Sequence, residues 1–145
     1  MKALFDISGK TALVTGGSSG IGAMIARGFV ENGVKTYISA RKEGPLLAKA
    51  EELCEFGKCI PIPADLSRVE GIEALVSAVS EREDHLDILV NNAGANWVVP
   101  LEEFPEAGWD KVMNINIKSI FFMTQKALPL LRKNATHGDP ARVIN

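Results

Sequence analysis

The sequence is poor in the residues that build metal sites, disulfide frameworks and hydroxyl-based acid–base centres: its 145 residues include two cysteines, two histidines and one tyrosine. Cys54 and Cys59 form neither a CxxC pair nor part of a four-ligand spacing. A disulfide scaffold and a thiolate metal site are thereby excluded, and both read as reduced, inert thiols in or near the core. His85 and His137 stand alone in charged or turn-like stretches, so neither is a candidate base and no metal is expected. Tyr37 lies inside a β-branched run and reads as a packing residue. Long apolar runs are missing too. None approaches the roughly 18 residues of a membrane span, and the opening Met1-Lys2-Ala3-Leu4-Phe5-Asp6 turns polar too early for a signal peptide. Lysine and arginine form no cluster of five or more, and the net charge is −2, which argues against nucleic acid or an anionic membrane as partner. The expected location is the cytoplasm.

With 46% hydrophobic and 23% charged residues, the chain has the make-up of a single globular domain over 1–145, large enough to bury roughly two-thirds of its unfolded surface. Four apolar runs rich in β-branched residues stand out: Thr11 to Thr15, Lys35 to Ser39, Cys59 to Pro63 and Ile88 to Asn91. Their ends recur about 25 residues apart, close to the roughly 30 of a βαβ unit. Helical patterns fill the gaps. Ile21, Ile25, Gly28 and Phe29 share one face of the first, and Ile72, Leu75, Val76 and Val79 one face of the third, which opens with Ser67 and Glu70 at capping-box spacing. The second helix begins after Gly44-Pro45. Alternating strands and helices predict an α/β domain with a doubly wound parallel sheet and right-handed crossovers, in which ligands bind at the carboxyl ends of the strands.

From Trp109 to Lys133 apolar residues cover two faces of one long predicted helix, with Pro129 expected to kink or loosen its last turns. Ala141-Arg142-Val143-Ile144-Asn145 reads as the opening of a fifth strand. The expectation is a domain lacking its C-terminal part, whose fourth strand is left as an uncovered apolar edge.

The strongest chemical signal is Thr15-Gly16-Gly17-Ser18-Ser19-Gly20-Ile21-Gly22, between the first strand and the first helix. Glycines there let the backbone turn tightly and approach a pyrophosphate, while free N–H groups and the helix dipole stabilise its charge. No lysine follows the last glycine, so this is not a Walker A loop. Thr15, Gly16, Ser18, Ser19, Gly20, Ile21 and Gly22 are therefore candidate dinucleotide contacts in a Rossmann-type fold. The threonine and the glycine spacing resemble the TGxxxGxG signature of the short-chain dehydrogenase/reductase family. Three further stretches fall in that family's order: Ala64-Asp65-Leu66, Asn91-Asn92-Ala93-Gly94, and Trp109 with Met113-Asn114-Ile115-Asn116-Ile117. The resemblance covers nearly the whole chain. It implies that Asp65 and Leu66 flank an adenine, that Asn92, Ala93 and Gly94 support the sheet and border the ribose, and that Asn116 is the catalytic asparagine.

Charge at the end of the second strand bears on the cofactor. An NAD enzyme needs a carboxylate there for the ribose hydroxyls, whereas this chain reads Ile38-Ser39-Ala40-Arg41-Lys42. Arg41 offers a fork of donors to a 2′-phosphate, with Lys42 as a second cation and Ser18 and Ser19 as further donors. NADP (NADPH) is the predicted cofactor.

In the family that the chain resembles, a tyrosine hydroxyl assisted by a lysine four residues later protonates a carbonyl, a serine orients it, and the asparagine holds a water. The serine and the Tyr-Lys pair are expected beyond Asn145. The phrases Asp139 to Asn145 and Trp109 to Met113 look most like 3-oxoacyl-thioester reductases, including the branch associated with rhamnolipid synthesis. The resemblance thus implies a carbonyl or acyl-thioester substrate and a homo-oligomer formed through the helix 109–133. A dinucleotide-binding fragment without turnover is the rival reading. The extended sugar-nucleotide epimerases, with TGxxGxxG, fit the glycine spacing less well. Trp97 either lines the substrate cleft or plugs the space under the following helix; both remain open.

Overall fold

A computed structural model describes residues 5–145. Five parallel strands, β1 (Thr11–Thr15), β2 (Lys35–Ala40), β3 (Cys59–Pro63), β4 (Ile88–Val90) and β5 (Arg142–Ile144), lie in the order β3-β2-β1-β4-β5. The strand order reverses between β1 and β4, so a crevice opens where the chain switches from winding one way to the other. The helices are α1 (Gly20–Glu31), α2 (Glu43–Cys54), α3 (Val69–Ser80), α4 (Glu106–Met113) and α5 (Ser119–Lys133). This is the doubly wound α/β sheet that the strand and helix spacing predicts.

Strand alternation divides the core into two layers. Ala12, Val14, Ile38, Ile88 and Val90 face α1 and α2, where Ala26, Val30, Leu46, Ala50 and Leu53 meet them. Leu13, Tyr37 and Leu89 face α3 and α5, packing with Ile72, Leu75, Val79, Met123, Ala127 and Leu131. Strands buried on both faces must be apolar at nearly every position, which is why these runs are continuous rather than alternating.

Several local expectations are corrected. The inward stripe of α1 is Gly22, Ala26 and Val30, with Ile25 and Phe29 only partly buried and Ile21 exposed; small residues face the sheet because the helix starts hard against the β1 turn. The predicted capping box of α3 does not form. Arg68 is its N-cap, and the Ser67 hydroxyl donates instead to Asp65 Oδ1, 2.7 Å away. Helix α2 begins at Glu43, so Gly44 and Pro45 sit inside its first turn, where a missing N–H is harmless. The long helix forms without a break from Glu106 to Lys133, but a π-turn over Asn114–Lys118 divides it into α4 and α5, and α5 runs through Pro129. Strand β4 is not an edge, because β5 pairs with it; the sheet's edges are β3 and β5, and β5 is exposed along its length. Cys59 is buried, its thiol pushed up to about 12 by burial and then by neighbouring Cys54, which is itself exposed. Among the described residues no helix is long and apolar enough to cross a membrane.

Candidate functional site

The turn after β1 is held from behind. The buried Thr15 hydroxyl donates to Val90 O at 3.2 Å and accepts from the amides of Asn92 and Ala93, both at 3.0 Å. The Asn92 side-chain amide returns the link, donating to Thr15 O at 3.0 Å and Gly16 O at 3.3 Å. These bonds cross the gap between β1 and β4, the switch point of the sheet. Gly16 then turns with φ of 68°, a conformation that a side chain resists. Gly22 packs so closely that a Cβ there would lie 2.2 Å from Gly16 O. Helix α1 is thereby drawn against the loop, and its N-cap, Ser19, makes no side-chain capping bond. Free amides at a helix start with an uncommitted serine beside them suit an anion.

In front of this turn lies a cavity of about 630 Å³, within the roughly 300–1,000 Å³ of small-molecule sites. Four strand ends contribute to its walls: Gly16, Ser18 and Ser19 after β1; Ser39, Ala40, Arg41 and Lys42 at β2; Ala64, Leu66 and Ser67 after β3; Ala93, Gly94 and Ala95 after β4. Pro45 of α2, Lys111 of α4, and Asn114 and Ile115 of the π-turn complete it. Three cations and no carboxylate line it. Asp65, between two lining residues, turns its Oδ1 onto the Ser67 amide and hydroxyl. The Ser67 hydroxyl holds the Asp65 carboxyl below the usual range against a smaller opposing effect of burial, with the Ser67 amide and the charges of Arg41 and Arg68 adding to the lowering. Ser39 is fully buried and its hydroxyl has no partner among the described residues.

Of the residues singled out from sequence, Gly16, Ser18, Ser19, Arg41, Leu66, Ala93 and Gly94 converge on this cavity. Thr15 and Asn92 stand behind it, bonded to each other and to the neighbouring ends of β1 and β4, and do not line it. Gly20, Ile21 and Gly22 form the helix start beside the cavity rather than its lining, and Asp65 is exposed at its rim. Asn116 is elsewhere. Its Oδ1 accepts from the Ala95 amide and its Nδ2 donates to Ala95 O, each at 2.9 Å, and it borders a separate apolar groove with Ile117, Ile120 and Phe121. Its amide thus clamps the β4 loop to the π-turn, and one of its two Nδ2 hydrogens is left without a partner among the described residues. The indole of Trp97 lies on Gly108 of α4 and is 37% exposed, so it packs against the following helix without being sealed beneath it.

Sequence reasoning missed Ser39, Ala40, Pro45, Ala64, Ser67, Ala95, Lys111, Asn114 and Ile115 as lining residues. Ser39, Ala64 and Ala95 could have been found as neighbours of strand ends. Lys111 and Asn114 could not, because only the packing of α4 and the π-turn brings them there.

The sequence profile of the short chain dehydrogenase family matches residues 10–145. The rhamnolipids biosynthesis 3-oxoacyl-[acyl-carrier-protein] reductase of Pseudomonas aeruginosa is 48% identical over 145 residues, all of this chain and 57% of that protein. The solved structure of the Pseudomonas aeruginosa RhlG/NADP active-site complex superposes with a TM-score of 0.96 at 48% identity, covering 100% of this chain and 57% of the other. An NADH-dependent reductase, A1-R′, solved with NAD superposes with a TM-score of 0.86 at 32% identity, covering 95% and 59%. The chain spans about half the length of the curated relatives it matches.

Proposed function

Because the chain belongs to the short chain dehydrogenase family, we propose that it carries the cofactor-binding part of an NADP-dependent oxidoreductase that reduces a carbonyl, in particular that of a 3-oxoacyl thioester, to an alcohol. One observation carries the cofactor choice: Arg41 and Lys42 follow β2 on a cavity wall that has no carboxylate. Neighbours of this fold bind NAD or NADP, so the fold alone does not choose. The β2 end does, because a carboxylate there favours bare ribose hydroxyls and a guanidinium favours a phosphate. The thioester reading draws on the 48% identical Pseudomonas aeruginosa reductase.

The residues present fit the dinucleotide. Gly16, Ser18, Ser19 and the first amides of α1 (Gly20, Ile21, Gly22) receive the pyrophosphate, Asp65 and Leu66 the adenine, and Ala93 and Gly94 the adjoining ribose, with Arg41 and Lys42 on the 2′-phosphate. When bound, the reduced nicotinamide supplies a hydride. Thr15 and Asn92 fix the spacing of the β1 and β4 ends, and Asn116, the catalytic asparagine that the family resemblance implies, holds the loop at Ala95 and keeps one side-chain N–H for a water.

A second reading is favoured by Tyr37. The sole tyrosine is buried and does not line the cavity, and its hydroxyl donates to Glu83 Oε1 at 2.5 Å. Burial first, then Glu83, raises its pKa far above the usual phenol. It is no proton donor, so these 145 residues by themselves bind the dinucleotide without turnover. The exposed side chains of Trp109, Ile117 and Phe121 on α4, the π-turn and α5 support a homo-oligomer formed there.

Calorimetric titration with NADPH and NADH tests the reading. NADPH binds more tightly than NADH, and Arg41→Ala removes the preference; equal affinity for both in the unaltered protein refutes it.

A further inference from the structure

Three cations share the 630 Å³ cavity of a protein whose net charge is −2. Arg41 and Lys42 come from the β2–α2 connection; Lys111 comes from the last turn of α4, a separate element on another wall. None of the three is within ion-pair distance of a carboxylate among the described residues, although Lys10, Arg27, Lys35, Lys49 and Lys126 all are. An unpaired lysine on an exposed helix is common, but Lys111 is also held. Its ammonium lies 5.3 Å from the centroid of the Trp97 ring, a separation at which the ring face attracts a cation. That ring in turn is seated on Gly108, where any Cβ would come within 2.9 Å of the indole. The chain of contacts Gly108–Trp97–Lys111 restrains a flexible side chain at the cavity, which lowers the entropy lost when it meets a ligand.

We infer that Lys111 is a specificity-determining cation for the phosphorylated dinucleotide, acting with Arg41 from the opposite element and positioned by Trp97 on Gly108. The inference rests on the NADP reading of this cavity. NADPH carries one phosphate more than NADH, so each cation lining the shared cavity attracts the phosphorylated form more strongly, an attraction that salt screens over about 10 Å at 0.1 M ionic strength. Arg41 supplies geometry through its fork of donors; Lys111 supplies charge.

Calorimetric titration of the protein and its Lys111→Gln and Lys111→Arg variants with NADPH and NADH, at low and at high salt, tests it. Position 111 is exposed, and thermal melting checks that the variants fold. The expected result is a weakening of NADPH binding by Lys111→Gln of about twofold to fivefold at low salt. NADH should change less, the difference should shrink at high salt, and Lys111→Arg should keep the affinity. If Lys111→Gln binds NADPH as the unaltered protein does, the inference is overturned and the NADP reading survives. An equal loss for both dinucleotides that salt does not touch makes Lys111 a packing residue and also overturns it. If the unaltered protein does not prefer NADPH, the NADP reading itself fails and the inference with it.

Discussion

Asn92 and Thr15 are joined twice across the switch point of the sheet: the Asn92 amide donates to the Thr15 hydroxyl at 3.0 Å, and the Asn92 side chain donates to the Thr15 carbonyl at 3.0 Å. Each residue satisfies the other's polar groups where β1 and β4 diverge and the sheet can no longer do so. The turn that faces the cavity is therefore held by side chains that do not line it. Thr15→Val preserves shape but leaves the amides of Asn92 and Ala93 without an acceptor. At about 1–3 kcal/mol for a buried unsatisfied group, the expected loss of stability is about 2–4 kcal/mol by denaturant unfolding, with Thr15→Ser retaining most of it.

The glycine loop separates two kinds of glycine requirement. A Cβ at Gly22 would meet Gly16 O at 2.2 Å, whereas at Gly20 it would meet nothing within 4 Å, although Gly20 has φ of 54°. Gly20→Ala should cost only the left-handed strain of about 1–2 kcal/mol. Gly22→Ala must push α1 off the loop and should cost more than this. It should also weaken dinucleotide binding in a titration, while Gly20→Ala leaves the fold of the loop intact.

How much of this was legible in the sequence depends on the range of the interaction. The four apolar runs matched β1 to β4 within a residue at each end, because strands buried on both faces leave continuous apolar signatures. The signature glycines, Arg41 and Leu66 lie at strand ends, so reading the strands placed them. What escaped depends on contacts between distant segments. The Trp109–Lys133 pattern gave no sign of the π-turn at Asn114–Lys118, since an added backbone residue per turn does not change which residues are apolar. The Ser67–Glu70 spacing suggested a capping box, but Asp65 two residues earlier takes the hydroxyl. The helical periodicity places Ile21 on the inward face of α1, yet close packing at Gly22 turns it out to solvent.

Acid stability should carry the mark of Glu83. Burial opposes its ionisation, but hydrogen bonds from Lys35 and Tyr37, with the charges of Lys35 and His85, outweigh that and hold its carboxyl below the ordinary 4.5. A depressed carboxyl contributes stability that is complete above the unfolded value and is lost as pH falls through the folded one. Glu83→Gln should therefore be less stable than the unaltered protein at pH 7, and the gap should close below about pH 4. Urea unfolding across pH 3–7 reads the difference; a gap that stays constant over this range would show that the ionised carboxylate contributes nothing.

Phe121 bears on the proposed self-association. It is 61% exposed on α5, in edge-to-face contact with Phe122 at 5.2 Å between ring centroids, and Ile117 beside it is 59% exposed. An apolar face of this kind is covered in a stable protein by another surface. Phe121→Asp places a charge there without touching the core, so sedimentation should show the unaltered protein associating and the variant remaining monomeric at the same concentration. A monomer in both cases would remove the α5 face as an interface.

The last expectation concerns Asn116, whose amide makes two bonds of 2.9 Å to the backbone of Ala95. One side chain here replaces the strand partner that the chain lacks once it leaves β4, and it also pins the π-turn, which has no other side-chain link to that loop among the described residues. Asn116→Asp keeps the acceptor for the Ala95 amide but sets a carboxylate against the Ala95 carbonyl, whereas Asn116→Leu removes both bonds. If the role is to hold the loop, Ala95 should exchange its amide hydrogen faster in both variants, most in the leucine one. Dinucleotide affinity should fall with it, because Ala93, Gly94 and Ala95 form one wall of the cavity. Unchanged protection at Ala95 would mean that the loop is fixed by the Thr15–Asn92 pair alone, leaving Asn116 free to act on the chemistry directly.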